Sequence, residues 1–322
     1  MKFARLAAVG VVVVMSSVQV LDAASATSGP SLSALKASIA ASVQLHSVDL
    51  NTSIPPIQDL SATTAQRLLP LSCYVNPDTG LLPKNVATLC AIGDTRATRT
   101  IVLTGDSQAG MWLPALNSVA KSLSWKLILV SMPGCAPWIV PATVPIVNGF
   151  DAGCRTFRQS VRALVLRLRP QVVIPVGLSG YYGNGVFPTE PQLLAEMTAM
   201  FHGWKSVNPL NVVFSPIPQF GRSSNVTPPI ACLATQPDPT KCEFPLSQLQ
   251  DKGLWTALEQ ESSTKSARFV DLTSLFCSAQ ACPVVVGPAH NAHLIYLDSS
   301  HMNRLYSAWI SSALTSLLKP VL

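Results

Sequence analysis

From Thr100 onward, short runs of β-branched and apolar residues alternate with amphipathic stretches, and this alternation restricts the chain more than any other feature. Strands are expected over Thr100–Thr104, Lys126–Ser131, Val172–Val176, Val212–Ser215 and Arg268–Asp271. Helices are expected over Gln108–Ser122, Arg155–Leu168, Pro191–Ser206, Leu246–Lys265 and Ser299–Leu318. Strands that read as buried apolar runs, each separated from the next by a helix, imply a parallel sheet covered on both faces. The expected architecture is one α/β domain, a three-layer α/β/α sandwich around a mainly parallel five-stranded sheet. Reactive groups in such sheets collect beyond the carboxyl ends of the strands. The loops after Thr104, Ser131, Val176, Ser215 and Asp271 are therefore where chemistry is to be sought.

The segments before Thr100 are of another kind. Lys2 and Arg5 precede the apolar run Leu6–Val20, which ends in the small residues Ala23-Ala24-Ser25-Ala26. Residues 1–26 read as a secretory signal peptide; left uncleaved, the same stretch would anchor the chain in a membrane at its N-terminus. Residues 27–67, rich in Ser, Ala and Pro with a Pro55-Pro56 break and one helical patch at Leu32–Val43, read as a spacer. Residues 68–322 are left as the folded domain, opening on an irregular lead-in over Leu68–Ile92. The expected location is secreted or extracytoplasmic. Apolar residues make up 48% of the 322 and charged residues 12%, which excludes a disordered chain. The net charge of +6 comes from scattered side chains with no run that would track phosphates, so no nucleic-acid partner is expected.

Eight cysteines in an exported chain imply disulfides rather than a metal site. They fall as four neighbouring couples, Cys73 with Cys90, Cys135 with Cys154, Cys232 with Cys242 and Cys277 with Cys282. Sequential pairing is the simplest of about a hundred connectivities. No couple has the spacing of a zinc ribbon or of a redox dithiol, and neither metal nor cofactor is expected. Asn51-Thr52-Ser53 and Asn225-Val226-Thr227 are glycosylation sequons.

Within the regular part, the run Ile101-Val102-Leu103-Thr104 stops at Gly105-Asp106-Ser107 and restarts as a helical pattern, placing one hydroxyl at a strand-to-helix corner. The backbone N–H of such a serine, at the positive end of a helix, can hold a developing oxyanion. Asp106 suits a tight turn, where its carboxylate satisfies nearby N–H groups. A nucleophilic serine needs a base, and the base an orienting group. Of the five histidines, His46 lies in the spacer, His202 on a helical pattern beside Trp204, and His290 and His293 form a loop pair without a carboxylate at ligand spacing. His301 follows Asp298 by three residues, a spacing at which the carboxylate can accept from the ring Nδ1 while Nε2 points outward. The same spacing also fits Asp298 as a plain N-cap of the last helix with His301 in its first turn. Trp112, Trp138, Tyr181, Tyr182 and Phe187 fall near the predicted mouth, where aromatics suit sugar rings or acyl chains, or else in the core.

A strand-end G-D-S early in an α/β domain and a D-x-x-H near its end resemble the SGNH (GDSL-like) hydrolase superfamily, whose fold is flavodoxin-like. More closely, the chain is similar to the SGNH domains fused to, or found beside, membrane acyltransferase-3 proteins. Gly105-Asp106-Ser107-Gln108-Ala109 stands where that family often has G-D-S-H-A, and Tyr296-Leu297-Asp298-Ser299-Ser300-His301 matches its Y-x-D-x-x-H. Gly134-Cys135-Ala136-Pro137 and Asp271-Leu272, ahead of Cys277 and Cys282, are supporting marks. The resemblance implies Ser107 as nucleophile, His301 as general base and then acid, and Asp298 as its orienter. It implies an oxyanion hole built from Ser107, Gly134 and a third residue. The family's G-x-N-D block is replaced here by Gly177-Leu178-Ser179-Gly180, which makes Ser179 the nearest substitute for the missing Asn. Trp138, Tyr181 and Tyr182 are then candidates for substrate contact.

The expected function is that of an exported serine O-acyl esterase or O-acyltransferase acting on O-acetyl groups of carbohydrate, with a membrane acyltransferase as a candidate partner. Two other readings fit parts of the sequence. An α/β-hydrolase would use Gly105-x-Ser107-x-Ala109 as its elbow and Asp271 as its acid. A carbohydrate-binding or accessory module would keep the fold without efficient chemistry, in line with the missing Asn and with Gln108.

Overall fold

The computed structural model describes residues 29–63, 68–138, 151–178, 188–220, 226–249 and 251–322. The proposed signal peptide, the second sequon at Asn225, and Ser179, Tyr181, Tyr182 and Phe187 lie outside the described residues. The central sheet comprises β1 (Ala91–Gly93), β2 (Thr100–Gly105), β3 (Lys126–Ser131), β4 (Val172–Val176), β5 (Leu210–Phe214) and β6 (Arg268–Val270). The helices are α1 (Leu32–Ser42), α2 (Leu60–Thr63), α3 (Val86–Leu89), α4 (Ser107–Met111), α5 (Leu113–Ser122), α6 (Asp151–Leu168), α7 (Glu190–His202), α8 (Pro229–Thr235), α9 (Leu246–Leu249), α10 (Lys252–Ser263), α11 (Arg304–Trp309) and α12 (Ser311–Leu318). A two-stranded ribbon joins β7 (Val285–Val286) to β8 (His293–Leu294).

The strand order is β1-β3-β2-β4-β5-β6, and β2 to β6 run parallel. Among the described residues the sheet thus has six strands rather than the five expected, and one of them is not parallel: β1 pairs antiparallel with β3 at the edge through Ile92 opposite Leu127. Three residues, Ala-Ile-Gly, carry no period of their own, so this strand is specified by the pairing partner rather than by local pattern. Strands β2 to β5 are buried along nearly their whole length, as the apolar runs require when helices cover both faces. Helices α5, α11, α12 and α1 pack together, as do α7 and α10, with α6 against the turn that follows α7. Because the chain steps from β2 to β3 on one side and to β4 on the other, crossovers of the usual right hand place these two sets on opposite faces.

Several elements depart from the pattern read in the sequence. Pro114 near the start of α5 breaks the expected Gln108–Ser122 helix into α4 and α5. The expected Leu246–Lys265 helix is likewise two, with Asp251 capping α10 through Leu254 N–H. Residues 29–63 lie against the domain rather than extending from it: Leu35 and Ile39 of α1 are fully buried, Ser42 Oγ accepts from Gly287 N–H, and Ile54 N–H bonds to Ala292 O. Apolar side chains four apart on a helix of small residues give that stretch one buried edge, enough to dock it beside α12.

The chain leaves β2 for β3 on one side and returns to β4 on the other, so the end of β2 is the point where the topology reverses. Gly105 closes β2 opposite both Ser131 and Val176. Its φ is +146°, and a Cβ there would sit 1.6 Å from Val176 O, so only glycine lets the three strand ends meet this closely.

Candidate active site

Ser107 is the first residue of α4, directly beyond that reversal point. Asp106 caps the helix: one carboxylate oxygen accepts from Gln108 N–H at 2.8 Å and the other from Leu178 N–H at 2.9 Å, on the loop after β4. It therefore clamps the serine corner to the neighbouring strand end. Burial pushes the Asp106 carboxyl up to about 6, against the pull of those two donors and of His301. Gly177 packs here without a side chain, since a Cβ would meet Pro137 Cδ at 2.6 Å and Asp106 Oδ2 at 3.2 Å.

His301 reaches the serine from 194 residues away, with Nε2 2.7 Å from Ser107 Oγ. Its Nδ1 lies 2.8 Å from Asp298 Oδ2. The carboxylate's other oxygen accepts from Ser300 N–H at 2.7 Å and His301 N–H at 2.8 Å, closing a turn that a bridge between Tyr296 and Met302 holds as a small hairpin. Asp298 is thus not the N-cap of the last helix. That role falls to Asn303, whose side chain accepts from Leu305 and Tyr306 N–H and donates to Leu294 O, so the helix starts at Arg304 rather than near Ser299. Burial lowers the His301 pKa, but the hydrogen bond and charge of Asp298 and the charge of Asp106 outweigh it, and the net shift is upward. For Asp298, burial raises the pKa, and the hydrogen bond and charge of His301 with the two N–H donors bring it below the ordinary value. An imidazole between a hydroxyl and a carboxylate can take a proton from the first and be stabilised as imidazolium by the second.

Two of the contacts that hold the hairpin carrying His301 lie close to its tip. Phe220 N–H, in the loop after β5, donates to Ser299 O at 2.8 Å. Gln108, buried next to the serine, donates Nε2–H to Ser300 O at 2.7 Å. Neither contact was legible in the sequence, although a polar side chain on the buried face of the helix after the corner was a signal for the second.

The other candidates are placed as follows. Gly134 has φ +76° in a turn closed by Cys135 N–H on Met132 O, and its missing side chain faces open space after β3. Trp138 is 2% exposed and lines, with Gln108, Met111 and Phe214, a small recess beside α4; its indole N–H has no hydrogen-bond partner among the described residues. Trp112 is core, edge-on to Phe214 and Phe276. Asp271 closes a turn on Thr273 N–H, and it is Asp298 that occupies His301 Nδ1. His290 faces Asp49 at 3.6 Å, His293 stacks on Trp309 with centroids 3.9 Å apart, and His46 meets Asp238 at 3.2 Å. Among the described residues no three His, Cys, Asp or Glu side chains converge as metal ligands. Disulfides join Cys73 to Cys90, Cys135 to Cys154, Cys232 to Cys242 and Cys277 to Cys282.

A family model described as the SGNH domain fused to AT3 domains matches residues 72–316, most of the chain and all of the elements that build this corner. The chain belongs to the SGNH domain family. Its SGNH fold is similar to that of the periplasmic domain of a lipopolysaccharide acetyltransferase from Salmonella ser. Paratyphi A, at 12% identity and a TM-score of 0.50 over 71% of this chain and 85% of that one. A putative acylhydrolase from Bacteroides fragilis matches at 14% identity and a TM-score of 0.43, over 75% of this chain and 97% of that one. An acetyl-xylooligosaccharide esterase from Geobacillus Stearmophilus matches at 11% identity and a TM-score of 0.42, over 70% and 95%. A search of curated proteins finds no match. Among the described residues no helix is long and apolar enough to cross a membrane.

Proposed function

We propose that this SGNH domain is an exported serine O-acyl esterase or O-acyltransferase that works on O-acetyl groups of carbohydrate through an acyl-Ser107 intermediate. The observation that carries the reading is the continuous chain from Ser107 Oγ to His301 Nε2 at 2.7 Å and from His301 Nδ1 to Asp298 at 2.8 Å. Ser107 Oγ attacks the acyl carbonyl while its proton passes to Nε2, and Asp298 holds the imidazolium in place. The resulting oxyanion is received by Ser107 N–H at the first turn of α4 and by the Gly134 backbone, with Ser179 as the third donor. Collapse breaks the bond from the acyl carbon to the sugar oxygen, which takes the proton from His301 Nε2 and leaves as the hydroxyl. Water or a second hydroxyl then attacks the acyl-serine with His301 again as base, regenerating Ser107.

The region 1–26 as export signal and the four disulfides support an oxidising, extracytoplasmic location. The family's fusion to AT3 domains supports a membrane acyltransferase partner that delivers the acyl group. Tyr181 and Tyr182 are proposed to contact the sugar. The test is turnover of p-nitrophenyl acetate together with labelling by a serine-directed fluorophosphonate, in the parent and in Ser107→Ala. A parent that shows neither turnover nor an acyl burst, or label that persists in Ser107→Ala, refutes the reading.

A further inference from the structure

Between α4 and the Tyr296–Met302 hairpin, the Ser107 to His301 contact has a companion one residue away on each side. Gln108 follows the serine, Ser300 precedes the histidine, and Gln108 Nε2 donates to Ser300 O at 2.7 Å. The two hydrogen bonds and the two intervening peptide links close a ring through Ser107, Gln108, Ser300 and His301. The acceptor is a backbone carbonyl, which can only accept, so the nitrogen end of the Gln108 amide is assigned by its partner. Gln108 is 3% exposed, and its own N–H is held by Asp106, so the side chain leaves a fixed origin and its amide nitrogen is shielded from water. Among the described residues, the other polar contact between α4 and the hairpin is Met302 N–H to the Met111 thioether at 3.4 Å, a weak acceptor.

We infer that Gln108 is a positioning residue that sets the approach of His301 to Ser107 by holding the Ser300 carbonyl. If the Gln108 bond is lost, the contacts left to hold the hairpin from outside are Phe220 N–H on Ser299 O and the weak Met302 N–H contact to the Met111 thioether, and the Ser300–His301 step can shift relative to α4. The His301 ring moves with it, while the Asp298 to His301 pairing inside the hairpin is kept. A displacement of about 1 Å between reacting groups costs up to about 100-fold in rate.

The inference rests on Ser107 and His301 acting as nucleophile and base, and the experiment separates the two. Rates of fluorophosphonate labelling and of p-nitrophenyl acetate hydrolysis are measured in the parent, Gln108→Met and Gln108→Glu, with folding checked by circular dichroism. Methionine keeps length and lacks the donor; its kcat and labelling rate should fall about 10- to 100-fold with KM within about threefold. Glutamate donates to the carbonyl only when protonated, and burial raises its pKa above about 4.3. The ratio of Gln108→Glu to parent rates should therefore fall as pH rises from about 5 to about 8, which a residue that only fills space would not produce. This pH readout decides the matter also if Gln108→Met folds poorly. A parent that is not labelled overturns the catalytic reading and the inference with it. A labelled parent whose Gln108→Met labels within threefold, or a rate ratio for Gln108→Glu that is flat with pH, overturns the inference alone.

Discussion

Replacing Asp298 by Asn should do two opposite things to the pH profile. The amide keeps an oxygen to accept from Ser300 and His301 N–H, so the hairpin turn survives and the change is confined to the Nδ1 contact. In the parent, His301 titrates above its ordinary 6.5, so kcat/KM, which needs the neutral ring, rises with pH through that raised value. Asn removes the hydrogen bond and charge that lift it, leaving burial to push it down, so the acid limb moves to lower pH. A charge-assisted hydrogen bond contributes about 1.5–3 kcal/mol. The Asp298 side chain is 48% exposed, and screening discounts the figure to about 1 kcal/mol. Losing that interaction moves the limb toward lower pH, away from the raised value of the parent. The plateau should fall as well, because an amide can present N–H₂ to Nδ1 and favour the wrong tautomer. A buried orienter lost in this way costs about 10⁴-fold, and one half in solvent should cost about 10²- to 10³-fold. The assay is kcat/KM for p-nitrophenyl acetate from about pH 5 to about pH 9, spanning the ordinary His pKa. An unmoved limb, or a plateau within threefold of the parent, would refute Asp298 as the orienter.

Gly105→Ala forces a methyl into the Val176 carbonyl at a φ of +146° and should cost about 3 kcal/mol or more, lowering Tm by at least about 5 °C; an unchanged melt would contradict the close approach of β2 and β4. Asn303→Ala removes the cap of α11 and leaves the buried Leu294 carbonyl without its donor, so urea unfolding should show a loss of about 2–3 kcal/mol at constant m. A loss below about 0.5 kcal/mol, half the ordinary value of a cap, would say that the helix start is held otherwise. The double change Cys73→Ala/Cys90→Ala opens a 17-residue separation and should destabilise by about 3 kcal/mol in the same assay, with the hydrolysis rate of the folded fraction unchanged.

What the sequence disclosed and what it withheld follow from the range of the forces involved. Strands β2 to β4 read correctly within a residue because burial on both faces writes a continuous apolar run. Strand β1 did not, because its Ala-Ile-Gly is a strand only by virtue of β3. The helix with buried Leu35 and Ile39 could be located but not attached, since its docking partner α12 lies at the far end of the chain. Asp298, His301 and Ser107 could be singled out because their spacing and corner position suit an orienter, a base and a nucleophile, and the fold brings the three side chains together. Asp298 as helix cap was equally compatible with that spacing, and only the hairpin and the Asn303 cap separate the two roles. His290 and His293, neighbours in the sequence, face different partners because the β7–β8 ribbon turns one toward Asp49 and the other onto Trp309. Gln108 was visible as a departure from the resembling family's histidine, but its carbonyl partner lies 192 residues away and backbone acceptors leave no trace in side-chain sequence.

The disulfides have a consequence for how such a chain matures. Their spans are 17, 19, 10 and 5 residues, and none encloses or interlocks with another. A chain emerging N-terminus first can close each bridge from material already delivered, with no wait for a distant partner and no reshuffling of nested loops. The reactive corner obeys the opposite rule. On the proposed chemistry, Ser107 emerges early and stays an unactivated hydroxyl until a segment 194 residues later brings His301 to it. The covalent framework is thus available piecemeal during delivery, while reactivity waits for the tail of the domain, so a truncated or half-delivered chain would be cross-linked yet inert.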